Sequence, residues 1–227
     1  MEVIKTTGIT KTYNPDKIPV RALRGVDLVI EKGEFTAIVG PSGSGKTTLL
    51  NIIGGLDTPD EGRIVIGGTD ISLLNDNQLI NFRKEHIGFV FQAFNLIPVL
   101  TARENVEFVM VLQKRDKKER TERAEYLLKA VDLADKMDKR PSELSGGQQQ
   151  RVAVARALAS NPEFVLADEP TANLDSVSTA NLLDMMLTLN KEEDMTFVFS
   201  THDQRVIDRA RRVITLVDGK ISKDERK

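Results

Sequence analysis

Residues 40–47 read Gly-Pro-Ser-Gly-Ser-Gly-Lys-Thr, and few octapeptides restrict a chain so far. Gly40, Gly43 and Gly45 let the backbone turn its N–H groups inward, because no Cβ blocks the approach. Pro41, Ser42 and Ser44 stand between them. The apolar run Phe35–Val39 before the loop suits a buried strand, and Lys46–Ile53 after it reads as a helix. Strand, glycine loop and helix in that order form the P-loop pattern. The helix start offers a partial positive charge. Lys46 adds a full charge for the β- and γ-phosphates of a nucleotide, and the Thr47 hydroxyl is placed for Mg²⁺. Thr48, one residue on, joins the candidate phosphate-binding set. A plain glycine turn beside a lysine would need neither the strand nor the helix.

The rest of the chain supplies a frame for that loop. Its 227 residues allow one sizeable core, with room for an inserted subdomain. Val3–Thr7, Val26–Ile30, Arg63–Ile66 and Ile87–Phe91 read as strands, with a short helix over Gln78–Lys84. After Gln92 the pattern turns helical. Thr101 and Glu104 form a capping box, Lys117–Val131 has Ala124, Leu127, Leu128 and Val131 at helical spacing, and Gln148–Ala159 is a third helix. Strands then return at Phe164–Ala167, Thr196–Ser200 and a final one at Val213–Val217, with a helix over Ser176–Leu189. Alternating strands and helices predict an α/β fold with a mostly parallel sheet. One domain over 1–227 is expected: a nucleotide-binding core from 1–92 and 161–227, and a helical insertion at 93–160.

Composition excludes several classes. The formal net charge of −2 gives no bulk attraction to nucleic acid or anionic lipid. The richest apolar stretches, Val106–Leu112 and Met195–Phe199, fall far short of the ~20 residues that cross a bilayer. Met1–Lys5 lacks the basic-then-apolar pattern of a secretory signal, and the absence of cysteine fits a reducing compartment. A cytoplasmic protein is expected, attached to any membrane only through a partner.

Two acids close an apolar strand in Phe164-Val-Leu-Ala-Asp168-Glu169. Ligands bind at the carboxyl ends of strands in open α/β sheets. There Asp168 would reach Mg²⁺, and Glu169 would take a proton from an attacking water. Adjacent acids alone would be read as a solvated strand end; beside a P-loop they gain a use.

Leu144-Ser-Gly-Gly-Gln148 narrows the choice among P-loop proteins, because it resembles the ABC ATPase signature without a mismatch. Ser145 and Gln148 also form a Ser-x-x-Gln capping box, so Gly146 and Gly147 sit at a helix start suited to anions, and both readings hold. The resemblance runs from Tyr13 to the last strand. It implies a RecA-like P-loop core with an N-terminal antiparallel β subdomain and an inserted α-helical subdomain. It also implies a head-to-tail homodimer, with ATP between one P-loop and the opposite signature.

Other positions match the family residue by residue. Gln92 looks like the loop glutamine that senses Mg²⁺ and the attacking water, and His202 like the switch histidine on the γ-phosphate. Tyr13 sits where members stack a ring on adenine, with simple packing as the alternative. Ala172-Asn-Leu-Asp175 is similar to the loop that crosses the dimer interface, although Ala172 and Asn173 depart from the usual Ser-Ala pair.

Phe91–Pro98 and Leu100–Val106 resemble the branch serving lipoprotein release and macrolide-type export, with departures at Ala93 and Phe108-Val109. That branch implies an ATPase on the cytoplasmic side of the inner membrane, coupled to a separate permease. The alternative it carries is a regulator acting on a membrane protein that controls cell-wall hydrolases. A DNA or ribosome machine would need a long coiled coil or a second ATPase unit, and this chain has neither. The cluster Phe94, Leu96, Ile97, Val99 and Leu100 reads either as core or as a docking groove.

Overall fold

A computed structural model describes all residues from 1 to 227. The chain opens with two long antiparallel strands, β1 (Glu2–Tyr13) and β2 (Val20–Glu31), paired with Ile4 opposite Ile30. β1 runs well beyond the expected Val3–Thr7. Gly8, at φ +61°, and a register shift between Thr6 and Ile9 mark a bulge that interrupts the alternation and hides the strand's second half. Next come β3 (Phe35–Val39), helix α1 (Lys46–Ile53), β4 (Glu61–Ile66), the two-residue β5 (Thr69–Asp70), α2 (Asp76–His86) and β6 (Ile87–Val90). The helical stretch holds α3 (Ala102–Leu112), α4 (Lys117–Ala130) and α5 (Gly146–Ala159). The chain finishes with β7 (Phe164–Asp168), α6 (Ser176–Glu192), β8 (Thr196–Ser200), α7 (Gln204–Arg209), β9 (Arg212–Val217) and β10 (Lys220–Arg226).

These strands make two sheets. One is antiparallel, in the order β2-β1-β4-β5; the other has six strands in the order β10-β9-β3-β8-β7-β6. Five strands of the second sheet run parallel, and only β10 returns antiparallel. Its central strands are mostly apolar because both faces are covered, with Thr36, Thr196 and Ser200 as buried polar exceptions. Phe197, Phe199, Val165 and Ala167 face the helical side, where they share a core with α3, α4, α5 and α6. Val198, Leu166, Phe164 and Ile38 face the other side and pack with α1 and the antiparallel sheet. Phe35 and Phe199 meet with ring centroids 4.6 Å apart on the helical side.

The helices start where the sequence places N-caps. Thr101 and Glu104 form a reciprocal capping box on α3, Asp116 caps α4, and Ser145 with Gln148 repeats the box on α5. The expected apolar cluster divides. Leu96 packs against the core, whereas Val99 is 71% exposed.

Val213–Val217 is not the last strand. Asp218 (φ +48°) and Gly219 (φ +75°) form a tight hairpin turn into β10. The sequence Lys-Ile-Ser-Lys-Asp-Glu-Arg of β10 carries charges that suit an edge strand and conceal its strand character. The short helix α7, capped by Asp203, was also not evident from periodicity, since six residues are too few to establish one.

Candidate active site

Parallel pairing brings four loops to one edge. Ile38 of β3 lies opposite Ser200 of β8, and Ser200 lies opposite Asp168 of β7. The P-loop after β3, the acidic pair at the end of β7 and His202 after β8 therefore leave the sheet side by side. Gln92 follows β6, the next strand over, and is exposed.

The loop needs its glycines. Gly40 has φ +150°, and a Cβ there would meet the Leu216 carbonyl at 2.0 Å. Gly45 has φ +103°, and a Cβ there would meet the Ala22 carbonyl at 2.3 Å. Both positions reject any side chain on conformation and on space. Lys46 Nζ donates to the carbonyls of Gly40 (2.8 Å) and Pro41 (3.1 Å), so its ammonium lies over the loop. Thr47 Oγ1 stands 3.2 Å from both carboxylate oxygens of Asp168. A hydroxyl and a carboxylate so close suit a hard cation that keeps most of its waters. Mg²⁺ held there would neutralise charge on phosphate oxygens.

Glu169 sits in the left-handed region at φ +46°, a strained conformation for a non-glycine residue. Its N–H donates to the Ser200 carbonyl (2.9 Å), which ties the turn to β8. Its carboxylate lies 2.7 Å from His202 Nδ1 and accepts from Thr201 Oγ1 at 3.4 Å. His202 is 77% exposed and Glu169 only 17%, so the imidazole covers the acid from the solvent side.

Two groups absent from the sequence reading brace this turn. The fully buried Gln150 of α5 donates from Nε2 to the Pro170 carbonyl at 2.7 Å. The buried Thr171 donates to Asp203 Oδ2 at 2.8 Å. Hydrogen bonds from Arg205, with help from Thr171, outweigh burial and hold the Asp203 carboxyl down to about 2. A depressed carboxyl contributes stability above its unfolded value of about 4, lost as pH falls through about 2. Asp203→Asn is therefore expected to flatten the loss of unfolding free energy between about pH 4 and pH 2. Acid unfolding followed by circular dichroism checks this, and an unaltered acid limb would deny Asp203 that role.

A cavity of about 360 Å³ lies over the P-loop, lined by Tyr13, Val20, Ala22, Ser42, Gly43, Gly45, Lys46, Thr47, Thr48, Glu169 and Ser200. None of Ser145, Gly146, Gly147 or Gln148 lines it. Those four form the capped start of α5: Ser145 Oγ accepts from the Gln148 N–H at 3.3 Å, and Gln148 Oε1 accepts from the Ser145 N–H at 2.9 Å. Gln148 thus spends its side-chain carbonyl on the cap. Asp175 likewise caps α6, accepting from Val177 and Ser178 N–H groups at 2.9 Å each. Asn173, at a departure from the usual pattern, donates from Nδ2 to the Gln92 carbonyl at 2.9 Å and joins two of the site loops.

A glycine loop between a buried strand and a helix, with a threonine and two acids at the adjoining strand ends, defines a P-loop nucleotide hydrolase. The chain belongs to the ABC transporter family, whose model matches residues 23–172. It is an ATP-binding subunit and an ATPase. The lipoprotein-releasing system ATP-binding protein LolD 1 of Rhodopseudomonas palustris is 46% identical over 97% of this chain and 99% of its own length. The macrolide export ATP-binding/permease protein MacB of Brucella melitensis is 45% identical over 99% of this chain, which spans 35% of that longer protein. Among solved structures, the ATP-binding cassette MJ0796, dimeric and bound to ADP and Pi in a post-hydrolysis state, superposes with a TM-score of 0.89. It shares 46% identity, and 98% of each chain is covered.

Proposed function

We propose that two copies of this chain close head to tail over two ATP molecules and power release or export of a lipoprotein, peptide or drug-like substrate through a separate permease. One observation carries the dimer. The cavity at the P-loop has Lys46, Thr47 and Glu169 but no residue from 145–148, while the same chain presents that capped Gly-Gly helix start elsewhere. A second copy would bring its α5 N–H groups to the γ-phosphate.

In this reading Lys46 leaves the loop carbonyls for the β- and γ-phosphates, and Thr47 and Asp168 hold Mg²⁺. Glu169 accepts the proton of the attacking water, His202 orients the γ-phosphate, and Gln92 reports the site's state to the helical stretch 93–160. Phosphoryl transfer asks chiefly for positioning and charge neutralisation, which these groups supply. The closed dimer binds ATP better than ADP, so hydrolysis reopens it.

No helix is long and apolar enough to cross a membrane. Attachment at the cytoplasmic face of the inner membrane would run through the permease. A groove of about 310 Å³ between α2, β6 and α5, including Leu56, Phe89, Phe91 and Val109, supports that docking, with Phe108, Val111 and Leu112 partly exposed on α3 nearby.

Lys46→Ala is expected to weaken ATP binding by roughly 10- to 100-fold, the scale of charge-assisted hydrogen bonds. Calorimetric titration measures it, and an unchanged affinity would remove Lys46 from the site.

A further inference from the structure

Tyr13 is not held by packing alone. It ends β1, and Asn14, at φ +51°, turns the chain away immediately after it. The phenol donates to Asp57 Oδ2 at 2.6 Å, across 44 residues of sequence. Asp57 lies just past α1, the helix that begins at the P-loop, and its N–H donates to the Asn51 carbonyl at 3.2 Å. Its second oxygen, Oδ1, accepts from Lys11 Nζ at 2.9 Å and from the Thr58 N–H at 2.8 Å. Lys11 also donates to the Thr58 carbonyl at 2.6 Å. Its ammonium stands over the Tyr13 ring, 5.4 Å from the centroid.

This is a fully connected network with only 12% of the Lys11 side chain and 27% of Asp57 exposed. Burial pushes the Asp57 carboxyl up, but donors from Tyr13, Lys11 and Thr58 outweigh it and leave the group below the ordinary carboxylate range. Burial, and then the same contact, raises the Tyr13 hydroxyl. The Lys11 ammonium also stands 3.8 Å from Asp60 Oδ1, so the two carboxylates share one counter-charge.

An aromatic side chain anchored at both its Cα and its hydroxyl cannot swing. Tyr13 lines the P-loop cavity together with Val20 and Ala22, which form its apolar flank. A planar heteroaromatic ring carried by a phosphate chain would find a stacking surface already set, without the entropy loss of fixing it on binding.

We propose that Asp57, paired with Lys11, is a positioning residue for the nucleobase: it ties the Tyr13 hydroxyl so that the ring stands as a preset platform for the purine of ATP. The pair thereby sets KM and leaves the chemical step alone. The inference rests on the reading that this cavity takes ATP.

The test compares ATP with inorganic tripolyphosphate, which has the phosphates and no base. Tyr13→Phe removes only the tethered hydroxyl, so it stays informative even if Asp57→Ala folds poorly. Each variant is expected to raise the ATP KM about 3- to 10-fold, the scale of one hydrogen bond, with little change in kcat. Tripolyphosphate affinity should stay at its original value. The double variant should be no worse than either single one, because both cut the same link, and Asp57→Asn, which keeps an acceptor, should recover most of the loss. An unchanged ATP KM, a parallel loss of tripolyphosphate affinity, or a fall in kcat instead of a rise in KM would each overturn the proposal. If the unaltered chain bound tripolyphosphate and not ATP, the underlying reading would fall as well.

Discussion

Glu169→Gln is expected to slow ATP hydrolysis by about 10²-fold or more and to leave nucleotide binding intact. The substitution keeps size and hydrogen-bonding capacity, so the turn survives: the Glu169 N–H still reaches the Ser200 carbonyl, and the amide oxygen can still face Thr201. What it removes is the capacity to take a proton. The groups proposed to hold phosphate and Mg²⁺, Lys46 and Thr47, lie on the P-loop helix and are untouched. ATP should therefore enter, close two chains together and remain. Size-exclusion chromatography with ATP should show a dimer that wild-type protein, turning over, does not hold. A monomer at every concentration would contradict the head-to-tail arrangement, and wild-type turnover in the variant would remove Glu169 as the base.

The location of that carboxylate depends on contacts far apart in sequence. The Pro170-Thr171 turn is gripped from α5 by Gln150 and from the loop after β8 by Asp203. A residue at φ +46° holds its conformation only when its surroundings over-determine it, and these two bonds fix the two residues that follow the strained position. Gln150 also belongs to the helix that starts with Gly146 and Gly147. One helix thus links the Gly146-Gly147 start with the turn that carries Glu169.

The sequence was legible where local chemistry decides the outcome. Phe35–Val39 and Thr196–Ser200 have the boundaries expected of strands covered on both faces, which are mostly apolar, and Lys46–Ile53 has those of the helix that follows the glycine loop. The capping boxes at Thr101 and Ser145 are visible for the same reason: they are satisfied within four residues. The charged strand β10 escaped, since an edge strand has one exposed side and no apolar signature. So did Gln150, Asp203 and Asp57. Each acts through one hydrogen bond to a residue 20, 32 or 44 positions away, and spacing along the chain carries no sign of such a contact. Asn173 reads in the sequence only as a departure from the family pattern; its amide reaches the Gln92 carbonyl, 81 positions away.

Gly146→Asp is expected to abolish the ATP-dependent dimer and to cut hydrolysis by about 10²-fold, while the single chain folds and binds ATP as before. The two glycines of the helix start differ in what surrounds them. A Cβ on Gly147 would come within 2.9 Å of Ser178 Oγ and 3.0 Å of its Cβ, so a substitution there disturbs the chain's own packing. A Cβ on Gly146 would meet nothing nearer than the Asn173 carbonyl at 3.7 Å, an ordinary contact. A penalty at Gly146 is then expected chiefly from what approaches from outside. If that is the γ-phosphate in the partner's cavity, a carboxylate placed about 4 Å from it repels by about 4 kcal/mol per unit charge at an effective dielectric near 20. That is enough to lose association and the charge neutralisation that hydrolysis needs. Thermal unfolding and ATP titration of the variant establish that fold and P-loop are intact. Sedimentation of the double variant with Glu169→Gln then reads the dimer directly. A dimer that still forms with ATP would mean that α5 does not close over the partner's nucleotide, whatever the effect on turnover.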